Sequence, residues 1–170
     1  MVETLNQYEK FWCFYATRCS FSNWHKSIFT DLDGITYNCS EQYMMYHKAK
    51  LFGDTEVMEQ ILKEKDPAKH KEWGRKVKNF NSELWNSKAM QIVYLGLFYK
   101  FSQNKDMLQD LLATKGTLLV EAAVNDKIWG VGLDQDNPKI HDRSNWLGTN
   151  WLGICLTRLR EDFENGDYAI

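Results

Sequence analysis

The stretch SEQYMMYHKAKLFG, residues 40–53, decides how this chain is interpreted. Ser40 is a residue type favoured at helix N-caps and Glu41 in the first turn complements the helix dipole, so the stretch predicts a helix over 40–52. Glu41 and Lys48 are seven residues apart, which places both side chains on one helical face. They are about 10 Å apart along the helix axis, so a small substrate can bridge them.

Lys48 has two interpretations at this point. Met44 and Met45 predict a partly apolar wall around the amine, and loss of water would lower its pKa toward a nucleophilic form. Alternatively, Glu41 is only a favourable charge at the helix start and Lys48 is a solvated side chain. Spacing alone does not distinguish a functional face from an ordinary surface helix.

Turn signals and apolar periodicity predict the elements around this helix. Helices are expected after the caps Asp54 and Asp66, after 79–82, around 107–112, and from about Leu152 to a stop at Asn165-Gly166. Strands are expected over 11–16, near Tyr37 and over 117–124, with a turn at Asp33-Gly34. In the long helix after 79–82, an inward stripe is formed by Trp85, Ala89, Ile92, Val93, Gly96 and Lys100. The prediction is an α+β fold, a mainly helical single domain over 1–170 (core about 11–164) with a small β-sheet.

Composition bounds the class of protein. A chain of 170 residues, 44% of them hydrophobic, can bury one sizeable core. The N-terminus lacks the apolar run and small-residue site of a secretory signal, and the longest apolar stretch, 92–99, is far shorter than the roughly twenty residues of a membrane helix. We therefore expect a cytoplasmic protein with no membrane partner.

Metal ligands are not clustered in the sequence. The four cysteines (Cys13, Cys19, Cys39, Cys155) lack C-x-x-C spacing, and the four histidines (His25, His47, His70, His141) are scattered. The cysteines are expected to be reduced structural thiols. Neither a metal nor a cofactor is expected.

A second acidic pair follows the predicted strand over 117–124. Glu121 and Asp126 precede Trp129 and Gly130, and acids at a strand end beside an aromatic ring suit proton transfer and sugar recognition. A salt-bridge glutamate plus a turn-forming aspartate is the open alternative. The Trp-Gly-Val-Gly run lacks a Rossmann fingerprint, so its glycines indicate a tight loop around a ligand.

Positive charge is concentrated over 63–78, which carries a net +4 although the whole chain has a net charge of −2. Such a segment can face phosphates. A solvated helical surface is the alternative.

The ordered set of motifs along the chain resembles the NADAR (YbiA-like) family. The resemblance rests on Phe21-Ser22-Asn23-Trp24, Ser40-Glu41-Gln42-Tyr43, Lys48-Ala49, Gly74-Arg75, Trp85, Lys100-Phe101, Leu119-Val120-Glu121, Asn125-Asp126, Trp129-Gly130 and Asn150 to Gly153. Together they span nearly the whole chain. Two positions depart from the family pattern, because Trp24 stands where many members have Phe and His25 where Tyr is common.

The resemblance implies a compact, largely helical α+β fold and hydrolysis of N-glycosidic bonds. The implied substrates are ADP-ribose attached to guanine bases, free or in nucleic acid, and phosphoribosylamino intermediates of riboflavin biosynthesis. By matching motif it implies a site containing Glu41, Lys48, Trp85, Asp126 and Trp129, with Asn23, Arg75 and Asn150 as lesser candidates.

Roles can be assigned to these residues on chemical grounds. Cleavage of a C1′–N bond builds positive charge on the sugar carbon, so Glu41 and Asp126 would share carboxylate stabilisation and proton donation. Lys48 is the candidate nucleophile for a Schiff base with an opened glycosylamine. The expected substrate contacts are made by Asn23, Arg75, Trp85, Lys100, Glu121, Trp129, Gly130 and Asn150, with Arg75 or Lys100 on a phosphate.

Two other function classes remain open. One is a binding module that recognises ADP-ribose or NAD without cleaving it. The other is a nucleic-acid accessory protein that uses the basic segment over 63–78 and shows steep salt dependence.

Overall fold

The computed structural model describes residues 5–167, which form six helices and four short strands. In chain order these are β1 (Phe11–Phe14), β2 (Phe29–Thr30), β3 (Thr36–Tyr37), α1 (Ser40–Leu51), α2 (Thr55–Lys63), α3 (Pro67–Arg75), α4 (Ser82–Gln103), α5 (Lys105–Ala113), β4 (Leu118–Glu121) and α6 (Trp151–Asn165). Two 3₁₀ turns, Pro138–His141 and Arg143–Asn145, lie in the loop before α6. The predicted mainly helical α+β class is confirmed.

The chain divides into two compact units. We call Asn23–Lys105 the central unit, and Met1–Ser22 together with Asp106–Ile170 the terminal unit. The assignment of a single domain over 1–170 stays a prediction.

The terminal unit is built on two parallel strands and one helix. β1 pairs with β4 in the register Phe11↔Leu118 to Phe14↔Glu121. β4 is shorter than the predicted 117–124 because its ladder with β1 ends at Glu121. Helix α6 packs on β4, and the Thr157 hydroxyl accepts the Leu119 N–H at 3.0 Å. The strand interior is fully covered, which explains its continuous apolar run.

Helix α1 is the centre of the central unit and packs against α2, α3 and α4. Two glycines let the neighbouring helices approach it closely. A Cβ at Gly74 in α3 would overlap the Met45 side chain, and one at Gly96 in α4 would lie 2.5 Å from the Tyr43 ring. The helix is consequently buried on most of its circumference, unlike an amphipathic surface helix.

The start of α1 differs from the prediction. The N-cap is Cys39, with extended backbone angles (φ −166°, ψ 164°), and Ser40 is the first helical residue. The Glu41 N–H, one of the amides left open at a helix start, donates to the Asn23 carbonyl at 2.9 Å. A backbone carbonyl from a distant segment therefore accepts one of the open N–H groups at this helix start, and Ser40 is not the helix cap. The predicted stop is confirmed, because Gly53 has φ +70° and its N–H donates to the Lys50 carbonyl at 3.2 Å.

The other helix starts follow their predicted local signals. Asp54, Asp66 and Asn81 accept the N–H groups of Val57, Ala68 and Leu84 at the starts of α2, α3 and α4. The predicted turn at Asp33-Gly34 joins β2 and β3, with Gly34 at φ +78°. No helix within residues 5–167 is both long and apolar enough to cross a membrane.

Candidate active site

Lys48 lies on α1 with its amine half-buried and contacted on three sides. Its Nζ donates a hydrogen bond to the Gly74 carbonyl at 2.7 Å. The same nitrogen lies 4.4 Å from the Phe80 ring centroid and 5.7 Å from that of Trp85. Burial lowers the pKa of Lys48; the Glu41 carboxylate opposes that shift and the Arg75 guanidinium adds to it. The Lys48 amine therefore loses its proton more readily than a solvated lysine does.

These contacts argue against the interpretation of Lys48 as an ordinary solvated side chain, and its role as a nucleophile stays a prediction. A solvated side chain does not fit an amine held by a carbonyl and two aromatic rings. The predicted apolar wall exists, but its composition differs from the prediction. Met45 packs against Gly74 of α3, and the rings nearest to the amine are Phe80 and Trp85.

Glu41 and Asn23 lie together at the start of α1. Glu41 is buried (6% exposed), and Asn23 is buried as well (7%). The Asn23 carbonyl is bonded to the Glu41 amide, whereas its side-chain Oδ1 has no hydrogen-bond partner among the described residues. The Ser40 hydroxyl is also buried without a partner there. Buried unpaired polar atoms are rare, so Asn23 Oδ1 and Ser40 Oγ make the start of α1 a candidate site for a polar ligand.

Lys100 and Arg75 differ sharply in exposure. Lys100 is fully buried in α4, and Arg75 is exposed in the last turn of α3. Burial raises the pKa of the Cys39 thiol to about 11, with Glu41 raising it and Lys100 lowering it. Both charges therefore lie near the start of α1. Of the two predicted phosphate ligands, the exposed Arg75 is the better placed to meet one from solution.

Asp126, in the terminal unit, stabilises a turn with its side chain. Its Oδ1 accepts the N–H groups of Ile128 at 3.0 Å and Trp129 at 2.8 Å. This geometry matches the turn-forming alternative, and it fixes the backbone that carries Trp129. The half-buried Trp129 ring packs edge-on against Trp151, with centroids 5.6 Å apart. A catalytic role for Asp126 stays a prediction.

Asn150 and Glu121 connect β4 with the loop before α6. The Asn150 side chain accepts the Glu121 N–H at 3.0 Å and donates to the Leu119 carbonyl at 2.9 Å. Asn150 is fully buried and has φ +55°, a conformation that asparagine tolerates better than most residues. Its amide is engaged with backbone on both sides, so its geometry suits positioning rather than substrate contact. Glu121 is half-buried at the end of β4.

Gly130 forms a tight backbone crossing in the same loop. A Cβ there would lie 2.9 Å from the Glu121 carbonyl oxygen and 3.0 Å from that of Asp126. The Gly130 carbonyl accepts the Asn150 N–H at 3.2 Å. The predicted tight loop is therefore present, and Gly130 allows its segments to touch.

The structure assembles the predicted residues in two groups. The central unit brings Asn23, Glu41, Lys48, Arg75 and Trp85 to α1 and its neighbours, with Lys100 nearby. The terminal unit gathers Glu121, Asp126, Trp129, Gly130 and Asn150 around the end of β4. Phe80 was missed by the sequence analysis, because an aromatic residue in a turn before a helix has no distinctive pattern. No group of three or more potential metal-ligating side chains occurs in the part of the chain that the structure describes.

The family described as NADAR domain matches residues 10–164. The chain belongs to the NADAR family. The Escherichia coli protein YbiA, whose structure was solved by NMR, superposes with a TM-score of 0.74 at 28% sequence identity. That match covers 96% of this chain and 91% of the other. The resemblance inferred from the motifs is confirmed.

Three relatives illustrate the similarity, and the names of two of them refer to a function. Protein irg-1 of Caenorhabditis elegans is 42% identical over 88% of this chain and 77% of its own length. N-glycosidase R617 of Acanthamoeba polyphaga mimivirus is 40% identical over 84% of this chain and 86% of its own. A riboflavin biosynthesis protein of Vibrio vulnificus is 28% identical over 70% of this chain, and the matched part covers 29% of that protein.

Proposed function

We propose that this NADAR protein is a hydrolase that cleaves the C1′–N bond of an ADP-ribosyl or phosphoribosyl group. The observation that carries the proposal is the Lys48 amine, half-buried between two rings and a carbonyl on the same helix as the buried Glu41. The class of enzyme follows from the relatives named N-glycosidases. The particular glycoside, an ADP-ribosyl or phosphoribosyl group, is taken from what the resemblance to the NADAR family implies.

Lys48 suits a route through an imine. In a glycosylamine, the lone pair of the exocyclic nitrogen opens the sugar ring and leaves an iminium at C1′, with the ring oxygen taking a proton. The neutral Lys48 amine adds to C1′, the base departs as its amine with a proton, and a lysine imine remains. Water then adds to C1′ and releases the sugar as its aldehyde, which regenerates the amine. Both candidate substrates, guanine-linked ADP-ribose and phosphoribosylaminopyrimidine, carry such a nitrogen.

Glu41 suits the charge that develops at C1′. Its carboxylate lies on the face of α1 that carries Lys48, about two helical turns away. A buried carboxylate stabilises an adjacent cationic sugar carbon more strongly than a solvated one.

The remaining polar groups of the central unit suit a sugar and its phosphate. Asn23 Oδ1 and Ser40 Oγ are the atoms that lack partners, and ribose hydroxyls can satisfy both. The exposed Arg75 guanidinium can hold a phosphate in a bidentate manner. Trp85, only 8% exposed, suits a wall of the site.

The basic segment gives little support to a nucleic-acid accessory protein. Lys63, Lys69, Lys76 and Lys78 form ion pairs with the nearby glutamates Glu59, Glu72 and Glu56. Local pairing of this kind is typical of a solvated helical surface. Apart from Arg75, the paired charges of 63–78 are therefore better explained as a solvated surface than as a contact with nucleic acid.

The test is incubation with ADP-ribosylated guanosine and, separately, with phosphoribosylaminopyrimidine, followed by mass spectrometry of the released base and sugar. Turnover of either is expected. Binding of ADP-ribose without turnover of either compound would favour the binding module and refute the hydrolase.

Borohydride tests the imine step. It should trap a covalent adduct in the wild type and none in Lys48→Ala. Lys50→Ala is the matched control, because Lys50 is an exposed lysine of the same helix, paired with Asp33. An equal adduct yield in Lys48→Ala would remove Lys48 from the mechanism.

A further inference from the structure

Phe80 is a half-exposed aromatic residue that contacts the candidate nucleophile. It lies between α3 and α4 and is 46% exposed, and the Lys48 Nζ sits 4.4 Å from its ring centroid. We propose that Phe80 is a positioning residue that sets the reactivity and direction of the Lys48 amine. This inference rests on the proposed function, in which that amine attacks C1′.

The Phe80 ring is held in place by its neighbours in the chain and in space. Asn79 has φ +56°, which turns the backbone sharply just before the ring, and Asn81 caps α4 just after it. The Phe52 ring, beyond the end of α1, packs against Phe80 with centroids 5.3 Å apart. The left-handed backbone at Asn79, the helix cap at Asn81 and the Phe52 ring together hold the Phe80 ring rigidly. The ring can therefore support the Lys48 amine in a fixed position.

Phe80 completes an enclosure that directs the amine. The Gly74 carbonyl takes one N–H of the ammonium at 2.7 Å, and the Trp85 ring lies 5.7 Å away on the inner side. Phe80 is the member of the set that is exposed, so it separates Lys48 from solvent. Replacing it opens the amine to water without emptying the core, which makes the position suitable for a test.

The Phe80 ring acts on the amine in two opposite ways. Its bulk excludes water, and this favours the neutral amine. Its π-face attracts the ammonium, and this favours the protonated form. Alanine removes both effects, whereas leucine keeps most of the bulk and removes the π-face. Because the ring covers the amine on its solvent side, exclusion of water dominates, and the two substitutions shift the reactivity of Lys48 in opposite directions.

The experiment measures Lys48 directly, without substrate. Wild type, Phe80→Ala, Phe80→Leu and Leu84→Ala are labelled with limiting acetic anhydride across pH 6 to 10, and the Lys48 peptide is quantified by mass spectrometry. At neutral pH we expect labelling to fall about three- to tenfold in Phe80→Ala and to rise roughly twofold to fivefold in Phe80→Leu. Leu84→Ala is the matched control, an apolar residue 41% exposed in the first turn of α4. It should stay within about twofold of wild type.

Each outcome either supports or overturns the proposal. Opposite shifts in the two Phe80 variants, with an unchanged control, support it. The proposal is overturned if labelling of Lys48 does not change in Phe80→Ala, or if it changes in the same direction in both Phe80 variants. An equal change in Leu84→Ala would also overturn it, because general loosening of the structure would then explain the effect.

Turnover separates this inference from the proposed function. The pH profile of borohydride trapping should move to higher pH in Phe80→Ala, in parallel with labelling. If labelling shifts as expected while the wild type turns over neither substrate, the proposed function fails and the influence of Phe80 on Lys48 stands.

Discussion

Replacing Gly74 by alanine should force α3 away from α1 and disturb the Lys48 amine. A Cβ at Gly74 would overlap Sδ of Met45 and lie 3.0 Å from its Cγ, and Met45 is only 5% exposed, so its side chain has little room to move. Overpacking of a filled core costs about 1–3 kcal/mol. Alanine gains roughly 1 kcal/mol over glycine in a helix interior. The net loss of unfolding free energy should therefore be about 0–2 kcal/mol.

A double-mutant cycle with Met45→Ala isolates the clash. In that background, Gly74→Ala keeps its helix-propensity gain and no longer meets Sδ or Cγ. The propensity cancels in the cycle, so the coupling free energy should equal the overpacking cost of about 1–3 kcal/mol. Urea unfolding of the wild type, both single variants and the double variant measures it. A coupling within about 0.5 kcal/mol of zero would refute the reasoning, since independent sites add to that precision.

The same four proteins provide a functional measurement. The Gly74 carbonyl accepts the Lys48 N–H, so separation of α3 from α1 should reduce borohydride trapping in Gly74→Ala. The double variant should recover trapping, because the helices can approach again. Reduced trapping in the single variant with no recovery in the double variant would mean that Gly74 acts on Lys48 by some route other than helix separation.

Three further predictions follow from the site and its surroundings. Glu41→Gln should lower kcat by about 10²–10³ with borohydride trapping by Lys48 retained; an unchanged kcat would exclude charge stabilisation by Glu41. Burial lowers the pKa of both His47 and His70 in the folded chain, so the unfolded chain binds more protons near pH 6 and stability should fall between pH 7.5 and 5.5. Urea unfolding at the two pH values checks this, and equal stabilities would contradict it. Asn150→Ala should cost roughly 2–5 kcal/mol by leaving two buried backbone groups of β4 unpaired, and a loss below about 0.5 kcal/mol in thermal or urea unfolding would contradict it.

Local signals in the sequence predicted most helix boundaries, whereas those set by distant contacts were missed. Asp54, Asp66 and Asn81 cap their helices with their own side chains, so the residue type and position suffice. Ser40 looks like an equally good cap. In the structure Cys39 occupies the cap position, and the Glu41 N–H is bonded to the Asn23 carbonyl. No local pattern encodes that contact.

The same distinction applies to the site. Helical periodicity was enough to place Glu41 and Lys48 on one face, and family motifs supplied the other candidates. The environment of the Lys48 amine was not predictable, because its contacts come from separate elements. Gly74 lies in α3, Phe80 in the turn after it and Trp85 in α4. The sequence suggested that Met44 and Met45 would surround the amine, yet the Met45 side chain packs against Gly74.

The spacing of Glu41 and Lys48 explains how a carboxylate and an amine of lowered pKa can share one helix face. A carboxylate in contact with the amine would hold it protonated, because Coulomb attraction rises steeply at short range. Two helical turns weaken that attraction, while the rings act on the amine at contact distance, and burial is consequently the largest influence on the pKa of Lys48. A sugar carbon bound between the two groups would shorten the distance from the carboxylate to the developing positive charge. Glu41 would then act on the transition state more strongly than on the resting amine, which is the condition for it to accelerate the reaction.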